Sequence, residues 1–403
     1  MIKKIPISRL KPGMYVTDLN AGWIPHGPRS KEGKITHEKI VQDIIKLGIK
    51  ELYIDTSKGL DCNEGQAEIE VEEERQKKAE NVSKIPPAPM PKITIFAEAA
   101  AATKVHNEAR NLVSLALQDI KFGRTVDVAA MDALAGSLVD SVLRNKDALI
   151  CLGSLRNKDA YLMEHSVNLS VLMTSFGKHM GLGEQILRET AMGALLHDLG
   201  KVMVPDEVLK KPGKLTPEEF EIMKSHVFYS RKILEKTPGM PALAIIVASQ
   251  HHEKMDGSGY PMGLKGDEIS PYGRMCAIVD IYDALTADRC YHKGMTAHQA
   301  LKKLLEWSGN HLDSELVVQF IRCVGIYPIG GLVELKSGRV GIVLSQNDKD
   351  QRAPLIRIIF SLKFKCYLKK EDIDLSKPNV QDEIVRAVDA IKLGIDIKDF
   401  LIF

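Results

Sequence analysis

The spacing of hydrophobic residues separates the chain into a short mixed region, a long helical region and a strand-rich end. Within residues 1–60, short apolar runs predict strands at 4–8, 14–19 and 51–55, and a helical period predicts a helix over 36–47. We therefore expect this segment to form a small α+β domain.

Residues 61–92 have the composition of a linker. Segment 64–80 is rich in charge and poor in large apolar side chains, which is typical of a solvated helix. The run Pro86-Pro-Ala-Pro-Met-Pro91 that follows cannot be helical and is expected to act as a semi-rigid spacer. The boundary between domains is predicted here.

Helical periodicity dominates residues 93–325. The first predicted helices are rich in alanine and cover 96–122 and 128–143. We divide this region into a helical connector, 93–145, and a helical domain, 146–325.

The chain returns to a strand pattern in a C-terminal β/α extension, residues 326–403. Strands are predicted at 332–335, 340–344 and 355–360, and a last helix over 381–393. The fold class is thus mainly α, with a small α+β N-terminal domain and a short β-containing C-terminal extension.

Composition limits the classes of partner. Of the 403 residues, 44% are hydrophobic and 27% are charged, and the formal net charge is only +2. That balance does not indicate binding to a nucleic-acid polymer or to a membrane surface. The first residues are not expected to form a signal peptide, because they lack an apolar core, and no apolar run is long enough to predict membrane insertion. The six cysteines include no CxxC pair. We expect a cytoplasmic protein with reduced cysteines.

Histidine is unevenly distributed, and a subset occurs with acidic residues in helical surroundings. Five of the twelve histidines belong to this subset: His165, His197, His226, His251 and His252. Asp198 and Asp280 lie among them in the sequence. Neutral imidazole and carboxylate together suit divalent iron, manganese, nickel or zinc.

The pair His197-Asp198 lies in an apolar stretch, 194–201. Adjacent residues on a helix point about 100° apart, so the two side chains can reach different sides of one metal pocket. Gly193 is expected to allow a close helix approach, and Gly200 to end the helix, which leaves Lys201 near the site. The alternative is a capped or core pair without a metal.

The pair His251-His252 precedes a turn that contains Gly257 and Gly259. Glycine permits backbone conformations that would place main-chain N–H groups against a phosphate. Tyr260 in this turn is expected to stack on a nucleotide or to hydrogen-bond to it. The alternative for the histidine pair is a surface doublet.

Asp280 and Asp283 are predicted to lie on one face of an apolar helix. A carboxylate among Ala, Ile, Val and Tyr is not expected to be buried without a partner. For Asp283, the alternative to a place in the site is an ion pair with Arg274.

Together these residues resemble those of a known superfamily, the HD metal phosphohydrolases, and of its HD-GYP subfamily. The residues that carry the first resemblance are His165, His197, Asp198 and Asp280. Those that carry the second are His226, His251, His252 and the loop Asp256-Gly-Ser-Gly-Tyr-Pro261. The likeness covers roughly residues 145–325 and implies an all-helical HD-type catalytic domain. Residues 1–60 resemble the small domain of unknown function that often precedes HD-GYP domains.

The resemblance implies two divalent metal ions per chain, iron or manganese by preference and nickel or zinc as alternatives. It assigns His165, His197 and Asp280 to one ion. It assigns His226, His251 and His252 to the other, with Asp198 as the bridge.

The implied activity is hydrolysis of a 3′–5′ cyclic dinucleotide by a hydroxide that two metals activate. Cyclic di-GMP is the leading substrate and 3′3′-cyclic GMP-AMP the second, with a linear dinucleotide or mononucleotides as product. The implied catalytic residues are Asp198 and Lys201, and Lys201, Tyr260, Arg289 and Lys293 match substrate-binding positions. Such an enzyme ends a second-messenger signal.

The sequence departs from the family pattern at two positions. Some members carry a glutamate four residues before the first histidine, where it helps to build a third metal site, but this chain has Tyr161 there. Glu164 is adjacent to His165 and faces about 100° away, so it is a poor substitute. Lys254 stands where many members have arginine, which removes a bidentate donor.

Two alternatives to this enzyme remain at the level of sequence. One is another HD-type nucleotide phosphohydrolase, whose simpler site needs neither His226 nor the glycine-rich loop. The other is a non-catalytic sensor or scaffold that binds a cyclic dinucleotide, although such degenerate members usually lose ligands and none is missing here. A homodimer through helices in 96–143 and a regulatory protein partner for the N-terminal domain are further hypotheses.

Overall fold

The structure is a computed structural model. It describes residues 2–19, 33–46, 49, 51–62, 66–67, 93–155, 161–287, 294–347 and 349–401. The chain divides into two units, residues 1–79 with 210–221, and residues 80–209 with 222–403.

The first unit contains an antiparallel sheet and one amphipathic helix. Its elements are β1 (Ile2–Pro6), β2 (Tyr15–Asp18), β3 (Gly33–Lys34), α1 (Glu38–Lys46), β4 (Glu51–Asp55) and β5 (Gln66–Ala67). The strand order is β3-β2-β4-β1-β5, with Ile5 opposite Leu52. Val41 and Ile44 on one face of α1 are buried, as the helical period predicts. The predicted strands and helix of this segment are confirmed.

The second unit is built mainly from helices. They are α2 (Ile95–Lys121), α3 (Val128–Gly153), α4 (Tyr161–His179), α5 (Glu184–Leu196), α6 (Asp206–Leu209), α7 (Pro217–Glu235, in this unit from Ile222), α8 (Ala242–Gln250), α9 (Pro271–Thr286), α10 (Ala297–Trp307), α11 (Ser314–Val324) and α12 (Ala390–Leu393). Among the described residues, no helix is both long enough and apolar enough to cross a membrane.

The helices around the later site pack through small and branched side chains. Ala102 and Ala109 of α2 are fully buried, and α2 packs along α3. Helix α3 runs ten residues beyond its predicted end and bends at Asn145, whose φ of −159° and ψ of 104° are not helical. Helix α4 packs on α3, α5 and α9, so it lies in the middle of the unit.

The C-terminal part of this unit is an antiparallel sheet of the order β10-β6-β7-β8-β9. Its strands are β6 (Leu332–Leu335), β7 (Arg339–Ser345), β8 (Leu355–Ser361), β9 (Cys366–Asp374) and β10 (Ile384–Val388). The predicted strands in this region are confirmed.

The predicted helix over 381–393 is wrong. Most of that segment is strand β10, which pairs with β6 so that Val388 lies opposite Leu332, and only Ala390–Leu393 is helical. Short apolar runs fit both the helical and the strand period. The segment forms a strand because the edge of β6 has N–H and C=O groups that need a partner.

Candidate metal centre

The structure brings all seven predicted metal ligands into one cluster. Three groups of side chains have ligand atoms within 4.8 Å of one another: His165, His197 and Asp280; His226, His251 and His252; and His197, Asp198 and His251. Six of the seven residues are at most 5% exposed, and His252 is half-buried. Residues from α4, α7 and α9 and from the ends of α5 and α8 therefore meet at one point.

The first group is tightly convergent. His165 Nε2 lies 3.2 Å from Asp280 Oδ1 and 3.2 Å from His197 Nε2. Two ring nitrogens and a carboxylate oxygen thus face a common point, which is the arrangement that a cation requires.

Asp198 lies between this group and the second. Its Oδ2 is 3.1 Å from His197 Nε2, and its Oδ1 is 3.3 Å from His226 Nε2. One carboxylate therefore presents one oxygen to each group, which is the geometry of a bridging ligand. The second group is closed by His251 and His252, whose ring centroids are 4.1 Å apart.

Helix ends orient two of the rings. Helix α5 ends at Leu196 and α8 ends at Gln250, directly before the two histidines. The expectation that Gly200 ends the first of these helices is therefore wrong. The carbonyls of a last turn lack helical partners. His197 Nδ1 donates to Ala194 O at 2.8 Å, and His251 Nδ1 donates to Ala248 O at 2.8 Å. Each ring therefore turns its Nε2 toward the cluster.

Two glycines allow the elements to approach. A Cβ at Gly193 would lie 2.8 Å from Ala244 O, so α8 can pack directly on α5, as predicted. A Cβ at Gly200 would collide with the carbonyl of His226, so the 3-10 segment Leu199–Met203 can lie against α7 only because of this glycine. The second contact sets His226 beside Asp198.

Buried polar atoms indicate that the cluster fits a metal. Within the described part of the chain, Asp198 Oδ1, His226 Nε2 and His251 Nε2 are buried without a hydrogen-bond partner. Leaving such atoms unpaired is costly. Burial lowers the pKa of His226 to about 4 and that of His251 to about 3, so both rings are neutral and offer lone pairs. Neutral imidazoles and carboxylates are a donor set for divalent transition metals.

Carboxylates have a different effect on His165. Burial opposes its charged form, but the hydrogen bonds that the ring donates to Asp280 and Asp283 outweigh burial and raise the pKa of His165 to about 9. Burial likewise opposes the carboxylate of Asp198, yet the charges of His197 and Lys201 hold its pKa well below the usual range. Asp198 is thus ionised, and without a metal His165 carries a proton where a cation would bind.

Lys201 and Tyr260 lie beside the cluster, as expected. Lys201 Nζ is 2.6 Å from Asp198 Oδ2, and its side chain is 15% exposed, so it stands at the edge of the site. The ring of Tyr260 lies 4.7 Å from that of His252, centroid to centroid. The other two predicted substrate-binding residues, Arg289 and Lys293, lie outside the described residues.

The loop that carries Tyr260 is held by residues that the sequence reading did not single out. Glu253 accepts hydrogen bonds from the N–H groups of Met262, at 2.7 Å, and Leu264, at 3.0 Å. His311 Nδ1 lies 3.1 Å from Asp256 Oδ2, at the start of the loop. Glu253 directly follows the histidine pair in the sequence, and this position could have indicated a role beside the site.

The alternative of an ion pair between Asp283 and Arg274 is wrong. Arg274 pairs with Asp267, at 2.8 Å, and with Asp313, at 3.2 Å. Asp283 instead accepts a hydrogen bond from His165 Nδ1 at 2.7 Å. It lies directly behind a predicted metal ligand.

The structure shows the surroundings of Glu164 and Lys254, two residues that bear on the departures from the family pattern. The carboxylate of Glu164 is buried against α2, with Oε1 3.0 Å from Arg110 Nε. Tyr161 is the first residue of α4, and its side chain lies outside the described part of the chain. Burial lowers the pKa of Lys254 to about 8.

Comparison with known proteins identifies relatives along the whole chain. Residues 151–316 match the family of the HD domain, and residues 2–131 match a domain of unknown function, DUF3391. The second match extends beyond the predicted N-terminal domain, residues 1–60.

A cyclic di-GMP phosphodiesterase of Pseudomonas aeruginosa is 36% identical over 393 residues, which are 96% of this chain and 92% of that protein. A cyclic di-GMP phosphodiesterase of Thermotoga maritima is 37% identical over 41% of this chain and 45% of that protein. A 3′3′-cGAMP-specific phosphodiesterase of Vibrio cholerae is 43% identical over 34% of this chain and 26% of that protein.

Proposed function

The chain belongs to the HD-GYP family of cyclic dinucleotide phosphodiesterases, and we propose that it hydrolyses a 3′–5′ cyclic dinucleotide to the linear dinucleotide. Cyclic di-GMP is the substrate that we favour, because the relative that matches nearly the whole chain is named for it. Cyclic GMP-AMP is the second candidate, because a relative named for that substrate matches part of the chain.

The observation that carries this proposal is the convergence of five imidazoles and two carboxylates in one cluster. We assign His165, His197 and Asp280 to one divalent metal. We assign His226, His251 and His252 to the other, with Asp198 between them. Iron and manganese are the metals that we favour, with nickel and zinc as alternatives.

Two bound metals would lower the pKa of water and neutralise charge on the attacked phosphate. The chain supplies the rest of the site. Lys201, 2.6 Å from Asp198, presents an ammonium group at the edge of the cluster, where it can donate to a phosphoryl oxygen. A cation in a partly buried site stabilises the charge that develops on that oxygen in the transition state.

Tyr260 would hold the substrate beside the metals. Its ring is tilted by 39° against that of His252, so it forms an aromatic wall next to the second metal group. Glu253 fixes the loop behind this wall through two backbone N–H groups. Base stacking on such a ring is tolerant of base identity, which is why both dinucleotides remain candidates. We assign Arg289 and Lys293 to phosphate or base contacts on their sequence positions alone.

A non-catalytic binding role is the main rival, and the site disfavours it. A sensor needs neither a bridging carboxylate nor a lysine beside it, whereas this chain keeps both Asp198 and Lys201 in contact. Another HD-type phosphohydrolase is disfavoured because His226, His251 and His252 form a complete second ligand group.

We also propose a cytoplasmic location and domain boundaries near residues 61–92 and 326. Cys62, Cys151, Cys276 and Cys323 are buried free thiols, which suits a reducing compartment. A homodimer and a protein partner for the N-terminal unit stay predictions.

The test is hydrolysis of both dinucleotides by protein that is loaded anaerobically with Fe²⁺ or Mn²⁺. Rates measured side by side should show turnover of at least one of them to the linear dinucleotide. Asp198→Ala should abolish turnover and lose metal, because it removes the carboxylate whose oxygens lie 3.1 Å from His197 Nε2 and 3.3 Å from His226 Nε2. Wild-type protein that carries two metals but cleaves neither dinucleotide would favour the binding role instead.

A further inference from the structure

A buried carboxylate outside the seven predicted ligands holds the ring of one of them. Asp283 lies on α9, and its Oδ2 is 2.7 Å from His165 Nδ1. Asp283 is fully buried, with 0% exposure. Since a carboxylate oxygen accepts, Nδ1 of His165 donates, and the Nε2 of the ring is the atom that faces Asp280 and His197.

Asp283 is held in turn by a second residue of the helix that carries His165. Asn168 lies one turn after His165 on α4, and its amide nitrogen donates to Asp283 Oδ1. Asn168 is 5% exposed, so this contact is also shielded from water. The two oxygens of Asp283 thus accept hydrogen bonds from the ring of His165 and from the side-chain amide of Asn168.

Three other histidines of the cluster have a different partner at the same ring atom. His197, His226 and His251 donate from Nδ1 to backbone carbonyls at 2.8, 2.6 and 2.8 Å. A carbonyl is neutral, whereas the partner of His165 is a fully buried carboxylate. A carboxylate behind a histidine raises the basicity of the ring and strengthens its bond to a metal. Among these four rings, only that of His165 has this support.

We propose that Asp283 is a positioning residue that makes the group of His165, His197 and Asp280 the tighter of the two metal positions. The inference rests on the proposed function, because it takes the cluster to hold two divalent cations. A second difference adds to the effect of Asp283. The carboxylate of Asp280 lies closer to the first group, with Oδ1 3.2 Å from His165 Nε2, than to the second, with Oδ2 3.6 Å from His252 Nδ1, so the first attracts a cation more strongly.

The test is a titration of metal-free protein with Mn²⁺ alone, in which free Mn²⁺ is followed by electron paramagnetic resonance and heat by calorimetry. Wild type should take up two ions in two resolved steps. Asp283→Asn should weaken the first step by about 10- to 100-fold and leave the second within about threefold. Asparagine has the shape of aspartate and keeps one acceptor oxygen, so a loss of Mn²⁺ affinity at the first step would report the charge of Asp283.

A matched control separates this effect from the loss of any buried carboxylate. Asp147 on α3 is 2% exposed and accepts a hydrogen bond from Ser345 Oγ at 2.6 Å, but it is not among the cluster residues. Asp147→Asn should leave both binding steps unchanged. An equal weakening of the first step by this control would overturn the proposal.

A second variant keeps the proposal testable if Asp283→Asn does not fold. Asn168→Ser removes the amide that donates to Asp283 Oδ1, so Asp283 is held less firmly behind His165. This variant should weaken the first step by roughly two- to tenfold. Loss at both steps alike, or at neither, in a folded variant would overturn the inference while leaving the proposed function intact. A folded wild type that binds no Mn²⁺ would instead overturn the proposed function, and the inference with it.

Discussion

Arg110 Nε lies 3.0 Å from Glu164 Oε1, so the carboxylate that precedes His165 in the sequence is held by helix α2. His106 Nε2 lies 3.5 Å from the other oxygen of Glu164, which is 4% exposed. To reach a cation at the cluster, this carboxylate would have to leave both partners inside the protein, which is costly. Glu164 is therefore an element of packing between α2 and α4.

The first prediction is that Glu164→Gln keeps two metals per chain. The variant should lose about 1–3 kcal/mol of unfolding free energy, since Arg110 is left with a weaker partner. Metal content by mass spectrometry and denaturant unfolding measure the two effects. Asp198→Asn is the positive control for metal loss. A Glu164→Gln protein that holds fewer metals than wild type would show that Glu164 is a ligand.

The second prediction concerns Lys201, whose Nζ is 2.6 Å from Asp198 Oδ2. Lys201→Ala should keep both metals and lower kcat by roughly tenfold to a thousandfold, the range for removal of one charge-stabilising donor. Steady-state kinetics on cyclic di-GMP and metal analysis of the same sample measure this. Lys201→Arg keeps the charge and should retain more activity than Lys201→Ala. Loss of metal in Lys201→Ala would assign the lysine a role in holding Asp198 rather than substrate.

The seven ligand candidates could be singled out from the sequence because histidine is unevenly distributed, and the resemblance to the HD-GYP family divided them into two sets. The orientation of the rings could not be predicted. His197 and His251 stand at helix ends, and it is the unpaired carbonyls of Ala194 and Ala248 that turn them, which depends on helix boundaries. Boundaries are the least certain part of a prediction from periodicity.

The contacts behind the ligands could not be predicted for another reason. Asp283 is 118 residues from His165 in the sequence, and its contact exists only because α9 packs against α4. The alternative of an ion pair with Arg274 paired two residues of one helix, whereas packing brings Arg274 to Asp313. Strand β10 was missed in the same way, because its partner β6 lies about fifty residues earlier.

The third prediction is that an ion pair between α2 and α3 makes stability depend on pH. Glu98 is 1% exposed and accepts hydrogen bonds from Arg144 Nε at 2.8 Å and from Ser141 Oγ at 2.7 Å. Burial opposes the charged form, but the two hydrogen bonds outweigh it and lower the pKa of Glu98. The stabilisation is therefore present above the unfolded pKa, about 4.3, and is lost as the pH falls through the folded value.

Glu98→Gln should lower the unfolding free energy at pH 7 by about 1–3 kcal/mol. Its deficit relative to wild type should shrink as the pH falls below the unfolded pKa, about 4.3, because the stabilisation of wild type declines until Glu98 is protonated in the folded state. Denaturant unfolding at a series of pH values measures both effects. Glu108→Gln, an exposed change on the same helix, should match wild type throughout. A deficit that stays constant with pH would mean that packing, and not charge, is lost.

The last prediction concerns the product and follows from position 161, one turn before His165 on α4. With tyrosine at this position, a third metal has no anionic ligand there, because phenol has a pKa of about 10 and is a costly ligand. Since Glu164 is bound to Arg110, the neighbouring carboxylate does not replace it.

In the HD-GYP family the third position is linked to holding the phosphate of the linear intermediate for the second cut. A two-metal site should therefore open cyclic di-GMP efficiently and cleave pGpG slowly. A time course resolved by chromatography should show pGpG first, with GMP late or absent. Tyr161→Glu restores a carboxylate one turn from His165, where residues four apart share a helix face. It should raise the yield of GMP and the metal count together, while Tyr161→Gln, of the same size and without charge, should change neither. GMP as the immediate wild-type product, with no pGpG detected, would contradict the two-metal assignment.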